Sequence, residues 1–310
     1  MSRVHQSVLL NEVVKLFSPC SLRVFVDGTA GAGGHSAALL ALHPEIERLI
    51  AIDQDPLALV IASENLISWK DKVTFISGNF EDLEKFLDQL EVDSVDGILL
   101  DLGVSSMQLD RGEKGFSFLK DGPLDMRMDP RNPVTAALIV NSWSQEELER
   151  IIRKYGEEKH WRAAARAIVK ARMQKPILTT LQLVEVLRTV LHVKPAKKIH
   201  PCTLVFQALR ICVNRELEVI EKVVPAAIKR LKRGGRLGVI SFHSLEDGIV
   251  KNLFRHAASD KWETRGIGGV FRDKEPEVRL VTRKPLIASE EEVEINPRSR
   301  SAKLRVVEKI

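Results

Sequence analysis

Aromatic residues are scarce in this 310-residue sequence: they make up 5% of it, as 11 Phe, 4 Trp and a lone Tyr. Cysteine is scarcer, with 3 residues (Cys20, Cys202, Cys212) that are scattered and never in CxxC spacing. An odd, dispersed set excludes a disulfide framework and a thiolate zinc site, so the thiols are expected as small buried hydrophobes and no metal is expected. No apolar run is long enough to span a bilayer, and Met1 to Asn11 reads as neither signal peptide nor membrane anchor. The expectation is a cytoplasmic chain with no membrane partner. Internal repeats and low-complexity tracts are also lacking. Excess charge of one sign is small, 47 Lys and Arg against 42 Asp and Glu, and does not by itself mark a nucleic-acid binder. What is present is 44% hydrophobic residues, enough for the core of one large or two ordinary domains. Monomer and homodimer both stay open.

The sequence is organised around Val24 to Ser36, where a β-branched run ends in Asp27, passes through Gly28, Gly31, Gly33 and Gly34, and enters an apolar helical stretch. Strand, glycine-dense turn and helix is the pattern of a nucleotide-type pocket. Gly31-x-Gly33 alone fits a NAD-type or an S-adenosylmethionine (SAM) pocket. Charge separates them: a carboxylate at Asp27 would repel a pyrophosphate and welcome the amino group and sulfonium of SAM. An Asp at a turn can equally serve as a cap. Asp53, ending the next strand-like run, is placed for ribose hydroxyls under either ligand. Asn79 and Phe80 follow the third strand, where Phe80 is either a stacking partner for adenine or a core anchor.

Further strands are expected at 73–76, 96–101 and 236–241, with an antiparallel pair at 277–283 and 302–307 closing one edge of an otherwise parallel sheet. Residues 5–17 read as an amphipathic helix bracing the sheet. Asp101 ends the fourth strand and is the candidate catalytic residue, since a carboxylate that accepts N–H bonds from an exocyclic amine helps localise its lone pair. His243, just past the fifth strand, is a second candidate, with the competing role of a helix-cap neighbour in an apparent Ser244-x-x-Asp247 capping box. Residues 102–128 show neither helical nor strand period, which suits a functional loop. Ser144-x-x-Glu147 and Thr179-x-x-Gln182 read as capping boxes, helices are predicted over 145–154, 157–174 and 180–191, and an apolar stripe from Phe206 to Leu231 predicts a long helix kinked or restarted at Pro225. Basic residues gather at 229–233 and 298–305, suggesting a face for phosphate.

These stretches resemble a known family. His5 to Leu10, Asp27 to Ser36, Asp96 to Asp110 (DGILLDLGVSSMQLD), Gly115 to Phe118, Leu124 to Met128, Tyr155 to Glu158, Phe206 to Ile211, Ile240 to Asp247 and Asn296 to Arg305 are similar to the bacterial 16S ribosomal RNA cytosine N4-methyltransferases, the MraW/RsmH family. The resemblance implies a class I SAM-dependent methyltransferase fold, Rossmann-like α/β, mostly parallel with an antiparallel edge and an inserted helical subdomain. The parts are expected at 1–110, 111–200 and 201–310. It implies SAM held by Gly33, Gly34, His35, Asp53, Phe80, Asp101 and Gln108, with Asp27 beside them, and a cytosine of 16S rRNA in the small subunit as substrate. Arg127, Arg298, Arg300 and Lys303 are the expected RNA contacts, and Phe116, Phe118 and Trp161 the candidate stacking aromatics. Lys159-His160-Trp161 departs from a more basic run in the family. A SAM-binding RNA assembly factor without base specificity is the alternative, and a NAD-type oxidoreductase a more distant one.

Overall fold

The five runs predicted as parallel strands are strands in the computed structural model, which describes residues 7–104, 112–191, 200–262 and 272–310. They are β1 (Val24–Asp27), β2 (Arg48–Asp53), β3 (Val73–Ser77), β4 (Val95–Asp101) and β5 (Leu231–Ser241). With β8 (Val278–Leu280) and β10 (Lys303–Lys309) they run in the order β3-β2-β1-β4-β5-β10-β8. The pairs among β1 to β5 are parallel, and β10 is antiparallel to both β5 and β8. A short β9 (Leu286–Ile287) also pairs with β10, and β6 (Lys261–Trp262) with β7 (Arg272–Asp273) forms a separate ribbon. This mostly parallel sheet with one reversed strand toward its edge is the class I methyltransferase sheet that the resemblance implies. Among the described residues, no helix is long and apolar enough to cross a membrane.

Alternation along the strands divides the core of this unit in two, because successive side chains of a strand face opposite ways. Val26, Ile50, Ile52, Ile98 and Leu100 pack with α4 (Leu83–Gln89), α10 (Glu216–Arg230) and α11 (Ser244–Ala257). Phe25, Leu49, Ala51 and Leu99 pack with α1 (Leu10–Phe17) and α2 (Gly34–Leu42), while α3 (Pro56–Asn65) starts at an Asp55 cap. Helix α1 is the expected brace: Val13 and Phe17 are fully buried, and Phe17 meets Phe25 edge-on with ring centroids 5.3 Å apart.

A second compact unit covers Val104–Glu216, while Met1–Gly103 and Leu217–Ile310 form the first. The sequence places the insertion at 111–200. The unit runs further because Phe206, Leu209 and Val213 of α9 (Thr203–Asn214) close its core. The other helices are α5 (Ala136–Ser142), α6 (Gln145–Gly156), α7 (Trp161–Arg172) and α8 (Thr180–Arg188); a short α12 (Glu290–Ile295) belongs to the first unit. The capping boxes at Ser144 and Thr179 both form. The apolar stripe does not break at Pro225, which lies inside α10. The break is at Arg215, whose φ of 52° ends α9.

The charge clusters have partners within the chain. Lys229 reaches Glu84 at 2.8 Å, Arg230 binds Asp88, and Lys232 meets Asp96 at 2.9 Å. Part of the basic run at 229–233 therefore neutralises acids of the 77–101 stretch. Likewise Lys303 lies 3.3 Å from Asp247, and Arg305, 8% exposed, forks onto the same carboxylate at 2.7 and 3.2 Å. Burial alone would raise the Asp247 carboxyl, but the Arg305 and Lys303 contacts hold it below its usual range. Its stabilisation is present at neutral pH and is lost as pH falls through the depressed pKa. Asp247→Ala leaves a guanidinium buried without its counter-charge and is expected to lower stability by about 3–5 kcal/mol in urea unfolding at neutral pH. A loss within experimental error would show that Arg305 finds other solvation.

Candidate active site

Three neighbouring parallel strands, β2, β1 and β4, each end in an aspartate: Asp53, Asp27 and Asp101. In such sheets the carboxyl ends of the strands bound the ligand crevice. The loop after β1 is pinned on both sides, with Gly28 N donating to Leu99 O and Ala30 N to Ile52 O, both at 2.9 Å. Gly31 and Gly33 then take φ of +52° and +82°, and Gly33 caps α2 without any side-chain cap. The first amide with a helical acceptor is Ala37 N, bonded to Gly33 O, so those of Gly34, His35 and Ser36 precede the helical ladder. Above Gly31 the space is open: a Cβ there would meet nothing nearer than 3.9 Å.

The three carboxylates have different surroundings. Asp27 is 2% exposed, and its oxygens accept from Ser36 Oγ at 2.6 Å and Thr29 N at 3.2 Å. Burial pushes its pKa up against those bonds and the nearby His35. It thus shapes the loop from inside and does not stand at an open mouth. Asp53 accepts from Gly31 N and Asp55 N, both at 2.8 Å, and burial raises its pKa to about 6. Keeping it ionised at neutral pH costs the fold about 3 kcal/mol. Asp101 is positioned by its own amide, which donates to Thr29 Oγ1 at 2.6 Å. Its Oδ2 lies 3.6 Å from His35 Nε2, while its buried Oδ1 has no hydrogen-bond partner among the described residues.

Both ring nitrogens of His35 are also buried without a hydrogen bond among the described residues. Such orphaned polar atoms are costly unless a ligand satisfies them. Together with the open space over Gly31, the helix-end amides and the pinned loop, they fit a nucleoside donor such as SAM. Thr29 and Ser36, which tie Asp101 and Asp27 to the loop, are the positioning residues that the motif reading missed; their hydroxyls beside glycines were the available signal.

The remaining expected residues fall variously. Phe80 opens a short 3-10 turn (Phe80–Asp82) and packs partly against the core, with its Cβ 3.5 Å from where a Gly28 Cβ would sit. Gln108 lies outside the described residues. His243 is itself the N-cap of α11, with Glu246 as the reciprocal member of the box, one residue earlier than the sequence suggests. Its Nδ1 accepts from Glu246 N at 3.4 Å, so its assigned contact is a capping one. Arg127 does not present a free guanidinium. It forks onto Asp125 at 2.8 Å and donates to the carbonyls of Pro130 and Asn132 at 3.0 and 2.8 Å, locking its own loop. Lys303 pairs with Asp247 as described, whereas Arg298 and Arg300 are exposed on a 3-10 turn before β10. Phe116 is buried, and Phe118 packs against His200 and Phe206 with centroids 4.9 Å away in each case. Trp161 is half-buried at the start of α7.

Residues 2–310 match the family model described as the MraW methylase family. Relatives named ribosomal RNA small subunit methyltransferase H include one from Protochlamydia amoebophila, 59% identical over 99% of this chain and 97% of its own length. One from Citrifermentans bemidjiense is 48% identical over 99% and 98%, and one from Clostridioides difficile 46% identical over 99% of each. With this match over nearly the whole sequence and a class I SAM-dependent methyltransferase sheet beneath it, the chain belongs to the MraW methylase family.

Proposed function

We propose that this chain methylates the exocyclic N4 amine of a cytosine in small-subunit ribosomal RNA, in the cytoplasm, with the crevice at the tips of β2, β1 and β4 as its active site. The observation that carries the reading is the buried Asp101 oxygen left without a partner beside His35. An acceptor-only group is what an amine with two N–H donors requires. SAM, when bound, supplies a methyl group on a positively charged sulfur.

The residues act mainly by placing the reactants in line. The amides of Gly34 to Ser36 and the carboxylate of Asp53 hold the nucleoside part of the donor, Asp53 through the ribose hydroxyls, with Phe80 beside the adenine. Asp101 accepts an N–H bond from the cytosine amine, which draws the nitrogen lone pair out of ring conjugation and toward the methyl carbon. Asp101 would take up the proton that the amine gives up on methylation. Arg298 and Arg300 contribute phosphate contacts on the RNA side.

The reaction is tested by transfer of labelled methyl from SAM to small subunits lacking the modification, followed by nucleoside analysis. Label is expected in N4-methylcytidine, and label in any other nucleoside would overturn the target. Asp101→Asn is expected to lower kcat by about 100-fold or more, in the range of a lost acid–base contribution. Near-normal turnover would remove Asp101 from the mechanism.

Donor binding should also depend on pH with a defined sign. Ribose hydroxyls favour ionised Asp53, whose pKa without donor is about 6. Protons therefore compete with SAM. Affinity is expected to be flat above pH about 6 and to weaken by up to about tenfold per unit below it. In Asp53→Asn, binding should be weaker and flat across that window; a wild-type slope in the variant would place the titrating group elsewhere.

A further inference from the structure

The helical unit carries a cationic cluster that the methyl-transfer site does not use. Arg150, Arg153 and Lys154 on α6, with Glu146, Glu149 and Trp161, line an open groove of about 510 Å³. The Arg162 guanidinium stands 4.2 Å from the Trp161 ring centroid and that of Arg153 5.5 Å, so two cations share one indole. The ring is half-buried against the core of the unit, which fixes its place, while the four cations are exposed.

Two features separate this cluster from an ordinary solvated face. Among the described residues, Arg150, Arg153, Lys154 and Arg162 have no carboxylate within ion-pair distance, whereas Arg127, Arg131 and Arg210 of the same unit each pair with one. Of the groove's two acids, Glu149 accepts from Gln145 at 2.8 Å. In addition, Arg162 lies in the first turn of α7, which contains no acidic residue. A cation there opposes the helix dipole, so helix stability does not account for it. Arg153 and Lys154 suit the last turn of α6, but that position does not explain a tryptophan set between them and Arg162.

The missing partner must supply negative charge to cations that outnumber the groove's two acids, Glu146 and Glu149, and a flat π-face to an arginine–tryptophan layer. An acidic peptide meets only the first demand; single-stranded RNA meets both. We propose that Trp161, Arg153 and Arg162 form a docking shelf for a single-stranded segment of the substrate RNA. A base stacks on the Trp161 layer, and the flanking phosphates meet Arg150, Arg153 and Lys154. This rests on the RNA-substrate reading above and adds a binding site to it.

The test is fluorescence-anisotropy titration of the full chain with a short labelled single-stranded RNA over a range of salt. Trp161→Leu is expected to weaken binding about 5- to 100-fold, the range of one lost base–aromatic stack, and Trp161→Phe to retain most of it. The double variant Arg150→Gln/Arg153→Gln should make the slope of log affinity against log salt shallower by about 1.4. SAM affinity should stay unchanged in all three, which also reports that they fold. RNA affinity and salt slope equal to wild type in the variants would overturn the shelf, as would a polyglutamate peptide that displaces the RNA while Trp161→Leu has no effect. Methyl transfer to small subunits separates the two proposals. Transfer by the variants with wild-type KM for the subunits sinks the shelf and leaves the reaction standing; RNA binding through Trp161 with no transfer to rRNA by the wild type does the reverse.

Discussion

Three carboxylates at the ends of adjacent parallel strands impose the constraint on which the rest of the site depends. Like charges in a partly dry crevice repel one another and pay for desolvation, so each must be answered locally. The glycine loop gives the answer for two of them. Asp27 is closed in by Ser36 and the Thr29 amide, and Asp53 draws in the amides of Gly31 and Asp55. These bonds hold the loop in its positive-φ turns and aim the start of α2 at the crevice. Asp101, held by Thr29 through its own amide, keeps one oxygen without a hydrogen-bond partner among the described residues. That unanswered oxygen costs stability, and it lies at the position proposed to receive the substrate amine.

The parallel strands were legible because they are short Val-, Ile- and Leu-rich runs bounded by Asp and Gly, and their carboxyl ends follow from topology alone. That placed Asp53 and Asp101 at the strand ends bounding the crevice before any coordinates. The reversed β10 was legible as a second strand-like run, 302–307, paired with 277–283 at the sheet edge. Helix caps were readable where the box residues are unambiguous, as at Ser144 and Thr179. At His243 the Ser244-x-x-Asp247 spacing competes with the box one residue earlier, and only the backbone decides.

Pairings between distant segments were not legible. A basic run such as 229–233 looks like a phosphate face until Glu84, Asp88 and Asp96 are brought against it by the sheet and α4. The same holds for Lys303 and Arg305, which look like a basic tail in sequence and instead fasten β10 to α11 through Asp247. Arg127 is spent on its own loop. Charge counted along a sequence thus overstates the charge offered to a partner. Arginines left unpaired after folding, as around Trp161, are the more telling ones.

The account stands most directly on the place of the donor. A crystal structure with SAM bound would test it: the ribose hydroxyls should lie within hydrogen-bond distance of the Asp53 carboxylate, with the methyl group facing the open side of Asp101. A donor seated with its ribose away from Asp53, or with its methyl group turned from Asp101, would contradict the assignment of this crevice as the site of transfer.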